Sequence, residues 1–282
     1  TSTRTEHIWE SMKEMFEGLS LDDNVGANGN KLSTGMKAML RLGSAWYDVA
    51  SQIKAVTQQG APLVIIGAQY QKNPIGIVSL ASNPIKTPED LIGKTLAVPP
   101  VNVISVEAML KISGVDRSKV NIVPYAYDPT PLIKGEIDAS LDFTTNVPYT
   151  IEQAGAEATS FLLYDFGFTI FNDTVVVTEE TLKTRRKDLV AFLKASRMGW
   201  DENFKDTTVY PPMFADSWFK GTGRSIDNEI YFNGAQKPLM EAPGGIFSMS
   251  EEAIEANIKA LAEVGIAAKR EYFDTTVLEE IG

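Results

Sequence analysis

The feature that most constrains this chain is a recurring change of hydrophobic period. Short β-rich runs at 47–50, 63–68, 76–80, 95–98, 120–124, 139–143, 161–163 and 173–177 alternate with segments that carry helix signals. That alternation predicts βαβ units, an α/β fold and a largely parallel sheet. Thr87 followed by Pro88-Glu89-Asp90 supplies an N-cap, a proline at the first helical position and acids in the first turn. A second helix is predicted over 103–112, stopped by Gly114. A third starts at Ser250-Glu251-Glu252-Ala253, carries Ile254, Ile258 and Leu261 on one stripe, and ends at Gly265. The block 181–203 reads as one long helix, and the chain beyond it is mostly helical.

At 282 residues the chain has room for about two domains. No apolar run reaches the roughly 18 residues that a membrane helix requires; the longest, 62–68, is of strand length. Organisation changes at Tyr70-Gln71-Lys72-Asn73-Pro74, where a strand ends in a polar stretch, and again at Phe168-Thr169-Ile170-Phe171-Asn172-Asp173. If both are crossovers, 72–170 forms one inserted domain, while 1–71 and 171–282 combine into the other.

Composition then limits the chemistry. The net charge of −11 repels polyanions, so nucleic acid is not an expected partner. There is no cysteine, which removes disulfides, thiolate nucleophiles and Cys-ligated metal. The single histidine, His7, would have to serve any imidazole-based relay or metal site alone. A chain so poor in reactive groups is expected to bind without catalysing, with neither cofactor nor metal.

Four segments carry a resemblance. They are Ala61-Pro62-Leu63-Val64-Ile65-Ile66-Gly67-Ala68-Gln69-Tyr70-Gln71-Lys72-Asn73-Pro74; then Ile85-Lys86-Thr87-Pro88-Glu89-Asp90-Leu91-Ile92-Gly93-Lys94-Thr95-Leu96-Ala97-Val98; then Leu132-Ile133-Lys134-Gly135-Glu136-Ile137-Asp138-Ala139; and Asp188-Leu189-Val190-Ala191-Phe192-Leu193-Lys194-Ala195. In that order they resemble the solute-binding proteins of ABC importers, in the group that takes up thiamine-pyrimidine precursors, riboflavin, alkanesulfonates and nitrate. The resemblance covers about half the chain. It implies a two-lobed, periplasmic-binding-protein-like (type II) fold with a ligand cleft between the lobes and hinge closure at the crossovers. It also implies a membrane permease as partner, a monomer, and a periplasmic or lipid-anchored extracellular location. Thr1 to His7 hold no signal sequence, as a processed chain would not. The chain departs from the family pattern at three places. Only Thr1 to His7 precede Ile8-Trp9-Glu10, Trp46 and Tyr47 stand where a small acidic turn is normal, and 99–105 is not glycine-rich.

In open α/β sheets ligands lie beyond the carboxyl ends of strands, which selects loops. Asn102 and Ser105, after the 95–98 strand, are placed either to bond a ligand or to cap the next helix. Asp142, Phe143, Thr144 and Asn146 follow the 139–143 run, and a carboxylate at a strand end needs a partner. Tyr70 and Gln71 fall at the first crossover, Phe168 at the second. Tyr125 and Tyr127 are expected on one face by alternation, Tyr127 as a stacking ring or as edge packing. The resemblance adds His7 and Trp9 near the first helix and Asn30, which meets the ligand or caps a helix. The nominated loops hold no arginine beyond Arg4. A flat, neutral heteroaromatic, a thiamine-pyrimidine precursor or a riboflavin-like ring, therefore suits them better than an anion. The alternatives are an alkanesulfonate or nitrate-type anion and, further off, a pyrimidine-synthase-like enzyme using His7 and Lys54.

Overall fold

A computed structural model describes residues 45–47, 49–217, 219–221 and 223–281. In chain order the main elements are β1 (Ala45–Tyr47), α1 (Val49–Gln59), β2 (Leu63–Tyr70), β3 (Ile75–Leu80), β4 (Thr95–Val98), α2 (Val103–Ile112), β5 (Asn121–Pro124), α3 (Thr130–Ile133), β6 (Ala139–Phe143), α4 (Val147–Gln153), β7 (Ala158–Leu162), β8 (Asn172–Thr178), α5 (Glu179–Thr184), α6 (Arg186–Asn203), α7 (Tyr210–Met213), α8 (Ile226–Met240), α9 (Glu251–Glu263) and α10 (Thr276–Glu279). They form a three-stranded sheet, ordered β1-β8-β2, and a five-stranded sheet, ordered β5-β4-β6-β3-β7.

The largely parallel sheet expected from the alternation is not what forms. Only β4 runs parallel to its neighbours β5 and β6, and each of those steps is made through a helix, α2 or α3. β3 is antiparallel to both β6 and β7, and the three-stranded sheet is antiparallel throughout. The short connection of residues 71–74 carries the chain from β2 in one sheet to β3 in the other, where β3 enters between β6 and β7 and runs opposite to both.

The three-stranded sheet is covered on both faces, which is why Leu63 to Ala68 is an uninterrupted apolar run. Val64, Ile66, Val175 and Val177 pack with Leu189, Phe192 and Leu193 of α6, Met240 of α8 and Phe247. Ile65 and Val176 pack on the other face with Val49 and Ile53 of α1. Those two α1 residues stand four apart, so Val49 opens a helix, and the strand expected at 47–50 ends at Tyr47. That second core continues without a break through Phe171 and Ile254 and Leu261 of α9 to Met109 and Leu110 of α2 and Leu96 and Val98 of β4. Burying a phenylalanine such as Phe171, which is 1% exposed, contributes roughly 1.5–3 kcal/mol.

Two further expectations are corrected. The Thr87 motif opens a single 3-10 turn, Pro88–Leu91, because Gly93 (φ +78°) turns the chain into β4. Asp90 does act locally, accepting the backbone N–H of Lys86 and Thr87 at 2.9 and 3.0 Å. The block 181–203 is two helices that break at Arg185, which leaves helical geometry between α5 and α6 (φ −124°, ψ 26°). The helices over 103–112 and from Ser250 end within a residue or two of the expected positions. Among the described residues no helix is long and apolar enough to cross a membrane.

The crossovers are tied to their surroundings. The backbone N–H groups of Gln71 and Lys72 both donate to the Leu239 carbonyl of α8, at 2.9 and 3.1 Å. Lys72 lies 3.8 Å from Asp165 and over the Tyr164 ring, which joins the first crossover to the segment after β7. On the second crossover the Phe171 N–H donates to Asn257 of α9 at 2.6 Å.

Candidate functional site

The parallel strands β4, β5 and β6 end side by side, and their following loops bring the polar candidates together. Ser140 and Asp142 lie two apart on β6 and so share a face. The Ser140 hydroxyl donates to the Asp142 carboxylate at 2.6 Å, and both side chains are buried. Burial pushes the Asp142 carboxyl up to about 6, with Ser140 and Tyr125 pulling the other way. Among the described residues neither a lysine nor an arginine contributes to that balance. Tyr125 follows β5, its N–H bonded to the Val98 carbonyl of β4 at 3.2 Å. Its hydroxyl comes close enough for the Asp142 charge, added to burial, to raise its own ionisation. That hydroxyl is nevertheless buried without a hydrogen bond of acceptable geometry.

Tyr127 stands beside it, the two rings 5.8 Å apart and tilted by 54°. Strand alternation does not produce this pairing. β5 ends at Pro124, and Tyr127 adopts a left-handed backbone (φ +61°), a conformation a non-glycine residue rarely takes. Tyr127 is 61% exposed, and its hydroxyl donates to Asn102 Oδ1 at 3.4 Å. Asn102 occupies the N-cap position of α2 but makes no capping bond, so of its two sequence readings the cap is not used. Phe143 at the end of β6 is exposed, as are Val101 and Ile104 in the loop and first turn after β4. The result is an apolar, partly aromatic rim beside a buried carboxylate.

The loop after β6 reaches the first crossover. Thr144 donates to the Pro74 carbonyl through its backbone N–H, at 3.0 Å, and its hydroxyl, at 3.2 Å. Gly76, one residue into β3, is required there: a Cβ would lie 2.2 Å from the Phe161 carbonyl and 2.5 Å from Thr144 Cγ2. Asn146, at the N-cap position of α4, accepts at Oδ1 from Asn228 Nδ2 of α8 at 2.9 Å. One turn on, the Tyr149 and Tyr231 rings lie 5.3 Å apart. These two contacts join a helix of the five-stranded side to a helix of the three-stranded side.

Of the sequence-predicted residues, Asn102, Tyr127, Asp142, Phe143, Thr144 and Asn146 are thus gathered around three adjacent strand ends. Ser105 lies in the first turn of α2, half-buried. Tyr70 and Phe168 are elsewhere. Tyr70 turns into the core behind the three-stranded sheet, its hydroxyl donating to Gln236 at 2.7 Å, and Phe168 belongs to the core shared by the two sheets. Gln71 is held in the crossover, its amide donating to the Ala68 and Ser248 carbonyls, each at 2.9 Å. His7, Trp9 and Asn30 lie outside the described residues. Tyr125, which the sequence places on one face with Tyr127 but does not single out, joins Asp142 here, and Thr145 and Gln69 carry no sequence signal that sets them apart. Among the described residues no group of His, Cys, Asp and Glu is arranged to hold a metal ion.

The sequence profile described as NMT1/THI5 like matches residues 17–207, more than half of the chain. The chain belongs to the NMT1/THI5-like family. Within curated proteins it is 24% identical over 144 residues to a formylaminopyrimidine-binding protein of Halalkalibacterium halodurans, spanning 49% of this chain and 44% of that one. It is also 61% identical to an adenine deaminase of Mesorhizobium japonicum over a stretch of 44 residues, 16% of this chain and 7% of the deaminase. The chain thus spans less than half the length of either relative. Among solved structures it resembles a putative periplasmic sulfonate-binding protein of a sulfonate ABC transporter from Methylobacillus flagellatus, with a TM-score of 0.60 at 12% identity, covering 85% of this chain and 74% of that one. The desulfurization enzyme DSZB shares the architecture, with a TM-score of 0.53 at 11% identity and 84% coverage of each chain. The NMT1/THI5-like chain therefore has the mixed α/β fold of the periplasmic binding proteins of ABC importers.

Proposed function

We propose that this NMT1/THI5-like chain is the extracytoplasmic solute-binding component of an ABC importer, a non-catalytic protein that captures a small, neutral heteroaromatic ligand and presents it to a membrane permease. The observation that carries the ligand class is Asp142. A buried carboxylate that no cation among the described residues offsets, set beside the rings of Tyr125 and Tyr127 and the exposed Phe143, repels an anion. It suits a ring that presents N–H donors and a flat face to stack. Pyrimidine recognition in the Halalkalibacterium relative points the same way. The likeness to DSZB, at 11% identity, is one of fold alone and carries no reaction to this chain.

In this reading the lobes are 1–71 with 171–282 and 72–170. The hinges are the two crossovers, and the lips that meet on closure are α4 and α8. Thermal-shift measurements with 4-aminopyrimidines, riboflavin, alkanesulfonates and nitrate test the ligand class. A ligand at 100 times its Kd stabilises by about 2.7 kcal/mol, a shift of several degrees in Tm. Stabilisation by a heteroaromatic is the expected result; stabilisation by the anions alone overturns it.

A further inference from the structure

We propose that the bound ligand completes three buried polar atoms, the hydroxyls of Tyr125 and Thr145 and the side-chain carbonyl of Gln69, and that these residues therefore set its specificity. Buried polar groups are almost always paired, so each exception calls for a cause. Among the described residues four side chains hold a buried atom without a hydrogen-bond partner: Gln69, Tyr125, Thr145 and Glu229. Glu229 is accounted for by its ion pair with Arg224 at 2.7 Å. The other three are at least nine-tenths buried, with exposures of 5%, 8% and 1%.

All three stand at or just past strand ends. Tyr125 directly follows β5, and Thr145 lies two residues past β6. Gln69 is the last residue but one of β2, where the chain enters the first crossover, and the Thr144 backbone N–H is bonded to Pro74 of that crossover. The three atoms thus belong to residues at the ends of β2, β5 and β6, next to the loops and the crossover already described. They have different bonding capacities. The Gln69 carbonyl only accepts, as does an ionised Asp142, whereas the two hydroxyls can also donate. A ligand that satisfies all of them must carry N–H or O–H donors on one edge and an acceptor on another, as an amino- or amide-substituted heterocycle does. A compact anion offers acceptors alone and leaves Gln69 and Asp142 unanswered.

The inference rests on the reading of the chain as a capture protein, and the test separates the two. The variants are Tyr125→Phe, Thr145→Val and Gln69→Leu, each measured without ligand and then titrated with 4-amino-2-methylpyrimidine, nicotinamide and methanesulfonate. Removing a polar atom that has no partner in the protein leaves the ligand-free Tm unchanged or raises it by about 2 °C. The same change weakens whichever probe binds the wild type by about tenfold or more in Kd. A ligand-free Tm lowered by several degrees in all three variants would show that the atoms are satisfied within the protein and overturns the proposal. Unchanged affinity for a probe that binds the wild type overturns it equally. If methanesulfonate alone binds the wild type, the heteroaromatic reading fails. The role of these residues then stands or falls on whether the variants lose that anion. If no probe binds, the ligand-free melting points decide.

Discussion

Tyr70 at the end of β2 and Tyr125 just beyond β5 are both buried tyrosines whose ionisation is pushed up mainly by burial, yet their hydroxyls meet opposite fates. Tyr70 enters a closed network behind the three-stranded sheet. Its hydroxyl donates to Gln236, whose amide donates to Asn233, which in turn exchanges bonds with Asn203 and donates to the Thr207 carbonyl. On the other face of that sheet Gln52 and Thr174 are paired in the same thorough way, 122 residues apart in sequence. Tyr125 instead sits at the strand ends of the five-stranded sheet, beside a carboxylate that burial pushes up to about 6, and its hydroxyl, like that of Thr145 past β6, has no partner. Polar groups sealed into a core are satisfied because an unmade bond there costs about 1–3 kcal/mol. Where that cost is left standing, at the edge from which strands deliver loops to a cleft, the site is built for something the chain does not itself supply.

The largest expected effect comes from removing the buried charge. Asp142 is raised from its ordinary 3.8 to about 6 in the folded protein. A group raised on folding contributes its full stability below 3.8 and loses it as pH climbs through 6, so at pH 8 the wild type carries the whole penalty. Two pH units correspond to about 3 kcal/mol at most. Asp142→Asn is therefore expected to be the more stable protein at pH 8 by up to that amount, with the gain vanishing toward pH 4. Denaturant unfolding of both proteins across that range measures the difference directly. A difference that stays flat with pH would mean that Asp142 is solvated and would erase the contrast between the two regions.

Opening the closed network is expected to cost somewhat less, with the opposite sign. Gln236→Leu leaves the Tyr70 hydroxyl buried and unpaired, for a loss of about 2 kcal/mol. Adding Tyr70→Phe is expected to recover a good part of that loss, because the orphaned hydroxyl goes with it. If the single and double variants are equally destabilised, Tyr70 contributes packing alone and is no counterpart to Tyr125.

Much of this architecture is written locally. All eight strands overlap the β-rich runs, β1 at Tyr47 alone, since β-branched residues between turn signals act at short range, as in Leu63–Tyr70 and Asn172–Thr178. What local pattern does not carry is strand direction. It depends on which strands meet across long connections: β3 enters between β6 and β7, antiparallel to both, and so a sheet expected to be parallel became mixed. The candidate site divides in the same way. Asp142 and Asn102 are legible as polar residues just where strands hand over to loops. The orphaning of Tyr125 and Thr145 is not legible, because a missing partner is a property of three-dimensional surroundings. Tyr70 shows the converse: on sequence it stands at the mouth of the first crossover, but its partner Gln236 lies 166 residues away and draws it inward.

The smallest expected effect lies where the two regions touch. Asn146 and Asn228 share one neutral hydrogen bond, so its loss is worth about 1 kcal/mol or less. If α4 and α8 meet only when the protein closes, that energy belongs to the closed form and not to folding. Asn228→Ala is then expected to weaken ligand affinity by up to about fivefold while the ligand-free Tm stays put. X-ray scattering would show a larger radius of gyration without ligand than for the wild type, and the Tyr149 and Tyr231 rings would part with it. A drop in Tm with unaltered affinity would instead make the contact a fixed strut, and the two sheets would behave as one body with a site at its edge.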